Sequence, residues 1–315
     1  MNITLTQLEY LIAVEQHGSF SNAAEASFVT QPTLSMQIKK LEEFLGVTIF
    51  DRSKHPVTPT KVGKPIITQA YQIVREAKKI KDIVDQHKGI IGGELRVGII
   101  PTLAPYLLPR FAGALVKEYQ DVSLVVKEWQ TEEILSALKN DRIDVGILVT
   151  PLKENGIQEM PLFYEELRVY TSKAHPFENQ LEVDVADLQS PDIWLLSSGH
   201  CFRDQVINLC SESKDKMTNN LPIAYESGSL ETLRKLVDKE GGFTLLPELA
   251  IDEFDEEGQE RIRTFKDTRP VREVSLVYSK DFAKQSLLEA LKKVIQKNVP
   301  KAMLKKERGN IVEWR

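Results

Sequence analysis

Phe20-Ser21-Asn22-Ala23-Ala24-Glu25-Ala26-Ser27-Phe28-Val29-Thr30-Gln31-Pro32-Thr33-Leu34-Ser35-Met36-Gln37-Ile38-Lys39-Lys40-Leu41 is the stretch that decides the fold of this 315-residue chain. A serine cap precedes a short helical pattern over residues 21–27, where Ala23 and Ala24 are small enough for another helix to approach closely. Phe28-Val29-Thr30 breaks the pattern and makes a turn. Leu34, Ile38, Leu41 and Leu45 then recur at helical spacing over residues 31–45, until Gly46 stops the run. Upstream, Leu8, Leu11, Ile12 and Glu15 share one face of a helix over residues 6–16, ended by His17-Gly18. Downstream, residues 47–52 and 56–61 read as two short strands around Ser53-Lys54-His55. The order is that of a helix-turn-helix followed by a wing.

From Gly63 the period changes. Ile66, Ala70, Ile73, Ala77, Ile80 and Val84 alternate steps of four and three, a repeat of about 3.5 that marks a helix–helix seam and predicts a dimer. Gly89-Ile90-Ile91-Gly92-Gly93 reads as a hinge. Beyond it, strand patterns at 95–100, 123–128, 144–149, 167–171, 193–196, 221–225, 243–246 and 274–278 alternate with helical patterns at 103–119, 132–140, 230–239 and 282–298. Such alternation predicts an α/β domain with largely parallel sheets, divided into two lobes facing a cleft. Ligands in these folds gather at strand C-termini and helix N-termini. The expected divisions are a winged helix-turn-helix at 1–62, a linker and dimerisation helix at 63–90, a two-lobed regulatory domain at 91–300, and an unassigned basic tail at 301–315.

Composition narrows the classes. Hydrophobic residues at 42% and charged residues at 28% are ordinary for a globular protein. The net charge of −5 is unevenly spread: residues 1–88 hold 11 Lys/Arg against 9 Asp/Glu, so the acidity lies in the remainder. A mildly basic head on an acidic body suits one phosphate-facing end. The first residues carry no secretory signal pattern and no apolar run reaches membrane-span length, so the expected location is the cytoplasm, where a disulfide is transient. No glycine fingerprint for phosphate, P-loop or HExxH occurs, which counts against a nucleotide-dependent enzyme or a metalloprotease.

The chain has two cysteines, Cys201 and Cys210, in Ser197-Ser198-Gly199-His200-Cys201-Phe202-Arg203-Asp204-Gln205-Val206-Ile207-Asn208-Leu209-Cys210. Phe202, Val206, Leu209 and Cys210 recur at helical spacing behind capping serines. Nine helical residues advance about 13.5 Å, whereas a disulfide needs Cα atoms roughly 4.4–6.8 Å apart. A bond between these thiols therefore requires the helix to unwind. Cys201 falls in the first turn, where the helix dipole, His200 and Arg203 are expected to lower its pKa, while Cys210 on the apolar stripe is expected to stay protonated. One reactive and one sequestered thiol suit sulfenic acid formation and resolution. Two inert core cysteines satisfy the same spacing. Three ligands at no familiar spacing argue against zinc, and no metal or cofactor is expected.

Residues 8–63 closely resemble the DNA-binding domain of LysR-type transcriptional regulators. The resemblance is carried by Phe20-Ser21-Asn22-Ala23-Ala24, Thr30-Gln31-Pro32-Thr33-Leu34-Ser35, Gln37-Ile38-Lys39-Lys40-Leu41-Glu42, Leu45-Gly46, Phe50-Asp51-Arg52 and Thr58-Pro59-Thr60-Lys61-Val62-Gly63. The rest of the chain fits that family's linker helix and two-lobed effector domain. Within the family, the segment from Gly199 to Gln205, with Pro101-Thr102-Leu103-Ala104-Pro105-Tyr106-Leu107-Leu108-Pro109 and Ser229-Leu230-Glu231-Thr232-Leu233, resembles the peroxide-sensing members.

That resemblance implies a transcriptional regulator and not an enzyme. Cys201 would be the peroxidatic thiolate and Cys210 the resolving thiol, with Thr102, Thr131 and His200 orienting hydrogen peroxide. Asp204 would help protonate the leaving hydroxide, and Arg203 or Arg272 would hold charge at the site. On promoter DNA, Gln31, Pro32, Thr33, Ser35 and Met36 would face the major groove, with Lys39, Lys40, Arg52 and Lys61 on phosphates or in the minor groove. Many members carry Arg where Met36 stands, which puts a guanine contact in doubt. Implied partners are double-stranded promoter DNA, RNA polymerase, a thiol reductant such as glutaredoxin or thioredoxin, and a homodimer or homotetramer, with no membrane. The alternative within the family is a metabolite held in the inter-lobe cleft with the cysteines incidental. A thiol peroxidase is opposed by the winged head, and a periplasmic binding protein would need a signal peptide.

Overall fold

A computed structural model describes residues 3–87, 91–209, 228–280, 282 and 284–314. Cys210, the polar run 211–220 and the strand expected at 221–225 lie outside the described residues. The chain divides into two compact units, Met1–Ile90 and Ile91–Arg315.

In the first unit, α1 (Leu5–His17) starts in a capping box between Thr4 and Gln7 and ends at Gly18, whose φ of +59° closes the helix. A Cβ there would also press on Pro56 at 2.8 Å, and the Gly18 carbonyl accepts the Val57 amide at 2.8 Å. α2 (Phe20–Ala26) is capped by Ser19, and α3 (Gln31–Leu45) by Thr30, with Gly46 at its end. The wing is β1 (Phe50–Asp51) paired antiparallel with β2 (Thr58–Pro59). α4 (Gly63–His87) follows. Its first turns belong to the domain core: Ile67, Ala70, Tyr71 and Val74 are buried with Leu11, Leu34 and Ile38, and Ile66 packs against them. Ala70 is therefore a core residue of its own domain and not part of an open seam. Ile73, Ile80 and Val84 are exposed, and Ala77 is half-buried.

The second unit holds one mixed sheet. β3 (Gly93–Ile99) lies between β4 (Val122–Glu128) and β5 (Val145–Thr150), all parallel. α5 (Ala104–Glu118) and α6 (Thr131–Lys139) make the crossovers. β6 (Ile157–Thr171) runs through both lobes, and the helix after it is α7 (Cys201–Leu209). β7 (Glu182–Val183), α8 (Leu230–Glu240), β8 (Phe243–Pro247), α9 (Glu248–Ile251), α10 (Glu256–Gln259) and β9 (Ile262–Phe265) build the second lobe. β10 (Pro270–Ser279), α11 (Gln285–Lys297) and β11 (Asn310–Ile311) complete the chain.

The expectation of largely parallel sheets fails outside the first lobe. β10 is antiparallel to both β5 and β6, and β6 is antiparallel to β8 and β9. The physical reason is that β6 and β10 return through both lobes as one long pair, so the lobes share strands. The span 193–196 contributes a single bridge between Ile193 and Phe243, not a strand. The tail left unassigned at 301–315 joins the unit: β11 pairs parallel with β10, and Trp314 packs against the first-lobe core.

Candidate functional site

The starts of α7 and α6 meet at Cys201, and the loop carrying Thr102 joins them through Arg272. α7 begins at Cys201 itself, directly after Gly199 and His200. Gly199 has φ +93°, a conformation that favours glycine, and a Cβ there would come within 2.8 Å of Gln130 Oε1 and displace that side-chain amide. α6 begins at Thr131, held by a capping box between Gln130 and Glu133. Gln130 Nε2 lies 3.3 Å from His200 Nε2, tying the two helix starts together. Thr102 precedes α5 in the loop after β3, at the C-terminal edge of the parallel strands.

Arg272 on β10 locks this corner. It is fully buried, and its Nε donates to Glu165 Oε2 at 2.8 Å. Its terminal nitrogens donate to Thr102 Oγ1 and to the Thr102 carbonyl, each at 3.1 Å. The guanidinium sits 5.4 Å from the Phe202 ring centroid. Glu165, also fully buried, accepts the Leu249 amide through its other oxygen at 2.7 Å. A buried ion pair of this kind persists because both partners are hydrogen-bonded. Thr102, having accepted from Arg272, retains its hydroxyl proton for a further acceptor.

Cys201 carries a free thiol, 4% exposed. Burial pushes its pKa up; the Arg272 charge and the Thr131 hydroxyl oppose that, and Asp204 adds to it. The expectation of a lowered pKa is thus reversed, because desolvation outweighs the dipole and the cation. His200 is also corrected: burial lowers its pKa, so at neutral pH it is an uncharged donor or acceptor and not a source of positive charge. Arg203 donates to the Leu196 carbonyl at 2.8 Å, and the cation acting on the thiol is Arg272.

Glu165, Gln130 and Gln205 went unread in the sequence. Gln205 had a local signal, since a residue four after Cys201 shares its helix face. It is fully buried, and its Oε1 has no partner among the described residues. Glu165 had none, for its pairing with Arg272 spans two strands distant in sequence.

In the winged head, Gln31, Pro32, Met36, Lys39 and Lys40 are exposed on α3, Met36 at 50%. The Thr33 hydroxyl is 2.8 Å from that of the cap residue Thr30. Lys39 lies 3.7 Å from Glu43, a solvated pair. Arg52 donates to Glu42 at 2.9 Å and to Ser35 at 3.4 Å, with its guanidinium 4.7 Å from the Phe20 ring centroid. Glu42 also accepts the Ile49 amide at 2.7 Å and the Phe50 amide, so it fastens α3 to the wing. Arg52 and Lys61 border a hollow of ≈ 530 Å³ lined by residues of the wing and its flanks.

Comparison with known proteins follows the same two-part division. Residues 5–64 match the family model described as bacterial regulatory helix-turn-helix protein, lysR family, and residues 89–300 match the LysR substrate binding domain. The DNA-binding transcriptional dual regulator OxyR of Escherichia coli (strain K12) is 35% identical over 296 residues, 93% of this chain and 95% of that protein. A hydrogen peroxide-inducible genes activator of Dickeya chrysanthemi is 35% identical over 284 residues, 88% of this chain and 89% of its own. A full-length OxyR variant from Pseudomonas aeruginosa superposes with a TM-score of 0.80 at 32% identity, covering 94% of this chain and 95% of that one. A hydrogen peroxide-bound cysteine-to-serine variant of Corynebacterium glutamicum OxyR gives a TM-score of 0.62 at 29% identity, covering 95% and 93%.

Proposed function

The chain belongs to the LysR family of bacterial regulatory proteins, and on that premise we propose that hydrogen peroxide is its signal, read by Cys201 and passed on as a Cys201–Cys210 disulfide. It is a DNA-binding regulator similar to hydrogen peroxide-inducible activators. The observation that carries the redox reading is a free, buried thiol at a helix start, facing Thr131 and the Arg272 charge.

The chemistry balances without a pre-formed thiolate. Cys201 sulfur attacks one peroxide oxygen, the O–O bond breaks, and the thiol proton ends on the departing oxygen as water. Cys201 becomes a sulfenic acid. Thr102 and Thr131 present hydroxyls and Arg272 fixed charge where the leaving oxygen gathers electrons. Asp204 and neutral His200 relay the proton. The Cys210 thiol then attacks the sulfenic sulfur, an S–S bond forms, and a second water leaves. A dithiol reductant such as glutaredoxin or thioredoxin restores both thiols and is itself oxidised.

On DNA, the start of α3 reads the major groove while Lys39, Lys40, Arg52 and Lys61 meet phosphates. The exposed Ile73, Ile80 and Val84 supply a helix seam for a homodimer, which pairs into a homotetramer and engages RNA polymerase at the promoter, in the cytoplasm. The alternative, a metabolite held in the inter-lobe cleft, would call on the same buried Thr102, Thr131 and His200, and the thiol test below separates the two readings.

The test is mass-spectrometric thiol mapping of reduced protein after stoichiometric hydrogen peroxide, with Cys201→Ser alongside. A rapid Cys201–Cys210 disulfide, absent in the variant, is expected. Thiols that outlast excess peroxide for many minutes refute the reading.

A further inference from the structure

The basic tail, which the peroxide chemistry does not use, touches the thiol-bearing helix. After Arg308 the chain turns at Gly309 and runs beside β10, with the Asn310 amide bonded to the Arg269 carbonyl at 2.8 Å and the Val312 amide to the Val271 carbonyl at 2.9 Å. Arg272, the cation of the thiol site, is the next residue along. On its other side the tail meets α7. Gln205 Nε2 donates to the Val312 carbonyl at 2.8 Å, and Asn208 Nδ2 donates to the Glu313 carbonyl at 2.9 Å. Gln205 and Asn208 stand three residues apart and are neighbours on one helix face. Arg308 pins the near end through the Tyr164 carbonyl at 3.1 Å and the Glu166 and Glu248 carboxylates, each at 3.0 Å. The far end is held by Trp314 against the first-lobe core.

We infer that residues 309–314 form a latch on α7: through Gln205 and Asn208 they hold the thiol-bearing helix in place, and they are released when that helix unwinds. The inference rests on the disulfide reading for its second half. α7 spans Cys201–Leu209, so a bond from Cys201 to the residue after it cannot form while the helix keeps its length of about 13.5 Å. The latch bonds arise from the middle of α7 at Gln205 and from its last turn at Asn208, so unwinding the helix from its C-terminal end to its middle displaces both donors. The tail carbonyls are backbone atoms, and the specificity of the contact lies in the two side-chain amides.

Asn208→Ala in the full-length reduced protein is the direct test, read by the rate at which N-ethylmaleimide labels Cys201. Labelling a buried thiol requires α7 to open. Losing one hydrogen bond predicts an increase of about fivefold. A merely local effect on helix stability would act the other way, since Ala favours helix more than Asn. Asn208→Asp, which turns the donor into an acceptor facing a carbonyl, should label faster still. In wild type, hydrogen exchange at 310–314 should rise after peroxide treatment. The dithiol–disulfide equilibrium of Asn208→Ala should move about fivefold toward disulfide, near 20 mV more negative in potential. Equal labelling of both variants and wild type overturns the latch, whatever peroxide does. A wild type that forms no disulfide but shows faster labelling in the variants refutes the disulfide reading and leaves the latch standing. A disulfide that forms with no change in tail exchange overturns the release.

Discussion

Replacing Arg272 by Met would separate two roles that its buried guanidinium combines. The side chain is fully buried and satisfies Glu165 Oε2, Thr102 Oγ1 and the Thr102 carbonyl. Removing it strands the Glu165 carboxylate in the interior with the Leu249 amide as its remaining described donor. An orphaned buried charge costs about 3–5 kcal/mol. At about 2–4 °C per kcal/mol for a unit of this size, the melting temperature should fall by about 10 °C. All three tryptophans (Trp129, Trp194 and Trp314) belong to the second unit, so urea unfolding followed by tryptophan fluorescence reports on that unit alone. The double variant Glu165→Gln with Arg272→Met removes both charges and should recover most of the lost stability, short of the two Thr102 hydrogen bonds. Reactivity should not recover. Losing a fixed cation beside the reacting sulfur should slow sulfenic acid formation on the order of a hundredfold in both variants. A single variant that loses less than about 1 kcal/mol, or a double variant with restored peroxide reactivity, would refute the argument.

Three further outcomes follow from the geometry. Gly199→Ala places a Cβ 2.8 Å from Gln130 Oε1 at φ +93°, so the second unit should lose about 1–3 kcal/mol in the same urea assay, with slower peroxide reaction. His200 and His175 both titrate below 6.5 because burial disfavours their cations; the unfolded chain therefore takes up protons first, stability is complete above that pH and falls as pH drops toward the folded values, and His200→Gln should flatten the slope of a urea–pH series. Arg52→Ala should weaken DNA binding across all sequences and reduce the salt slope by about one, read by fluorescence anisotropy at several salt concentrations; changed base preference at an unchanged slope would show Arg52 to be a base reader.

What could be read from the sequence depended on how local its cause was. α3 falls on the residues read for it because Thr30 caps it and Gly46 ends it within the same stretch. β6 was read as its last five residues only: Pro161 in its first half argues against a strand, and the pairing that holds it comes from β10, more than a hundred residues later. Ala70 fits a 3.5 repeat as well as any seam residue, yet the packing of α1 against α4 takes it into the domain core. At the site, the helical spacing after Cys201 put the thiol in a first turn, as found, but the helix starts at Cys201 itself, so Ser197 and Ser198, read as caps, lie too far ahead to cap it. The direction of its pKa was not, because burial comes from the first-lobe core into which Cys201 packs, assembled from segments distant in sequence.

Glu42 leaves its mark on how a signal can reach DNA. One carboxylate grips two wing amides and Arg52 while riding on α3, so recognition helix and wing form a single stiff piece. Bending α3 away from the wing would break all three of these bonds at once. In the proposed dimer, a signal would then be spelled in the spacing and tilt between whole heads, a change of punctuation and not of lettering.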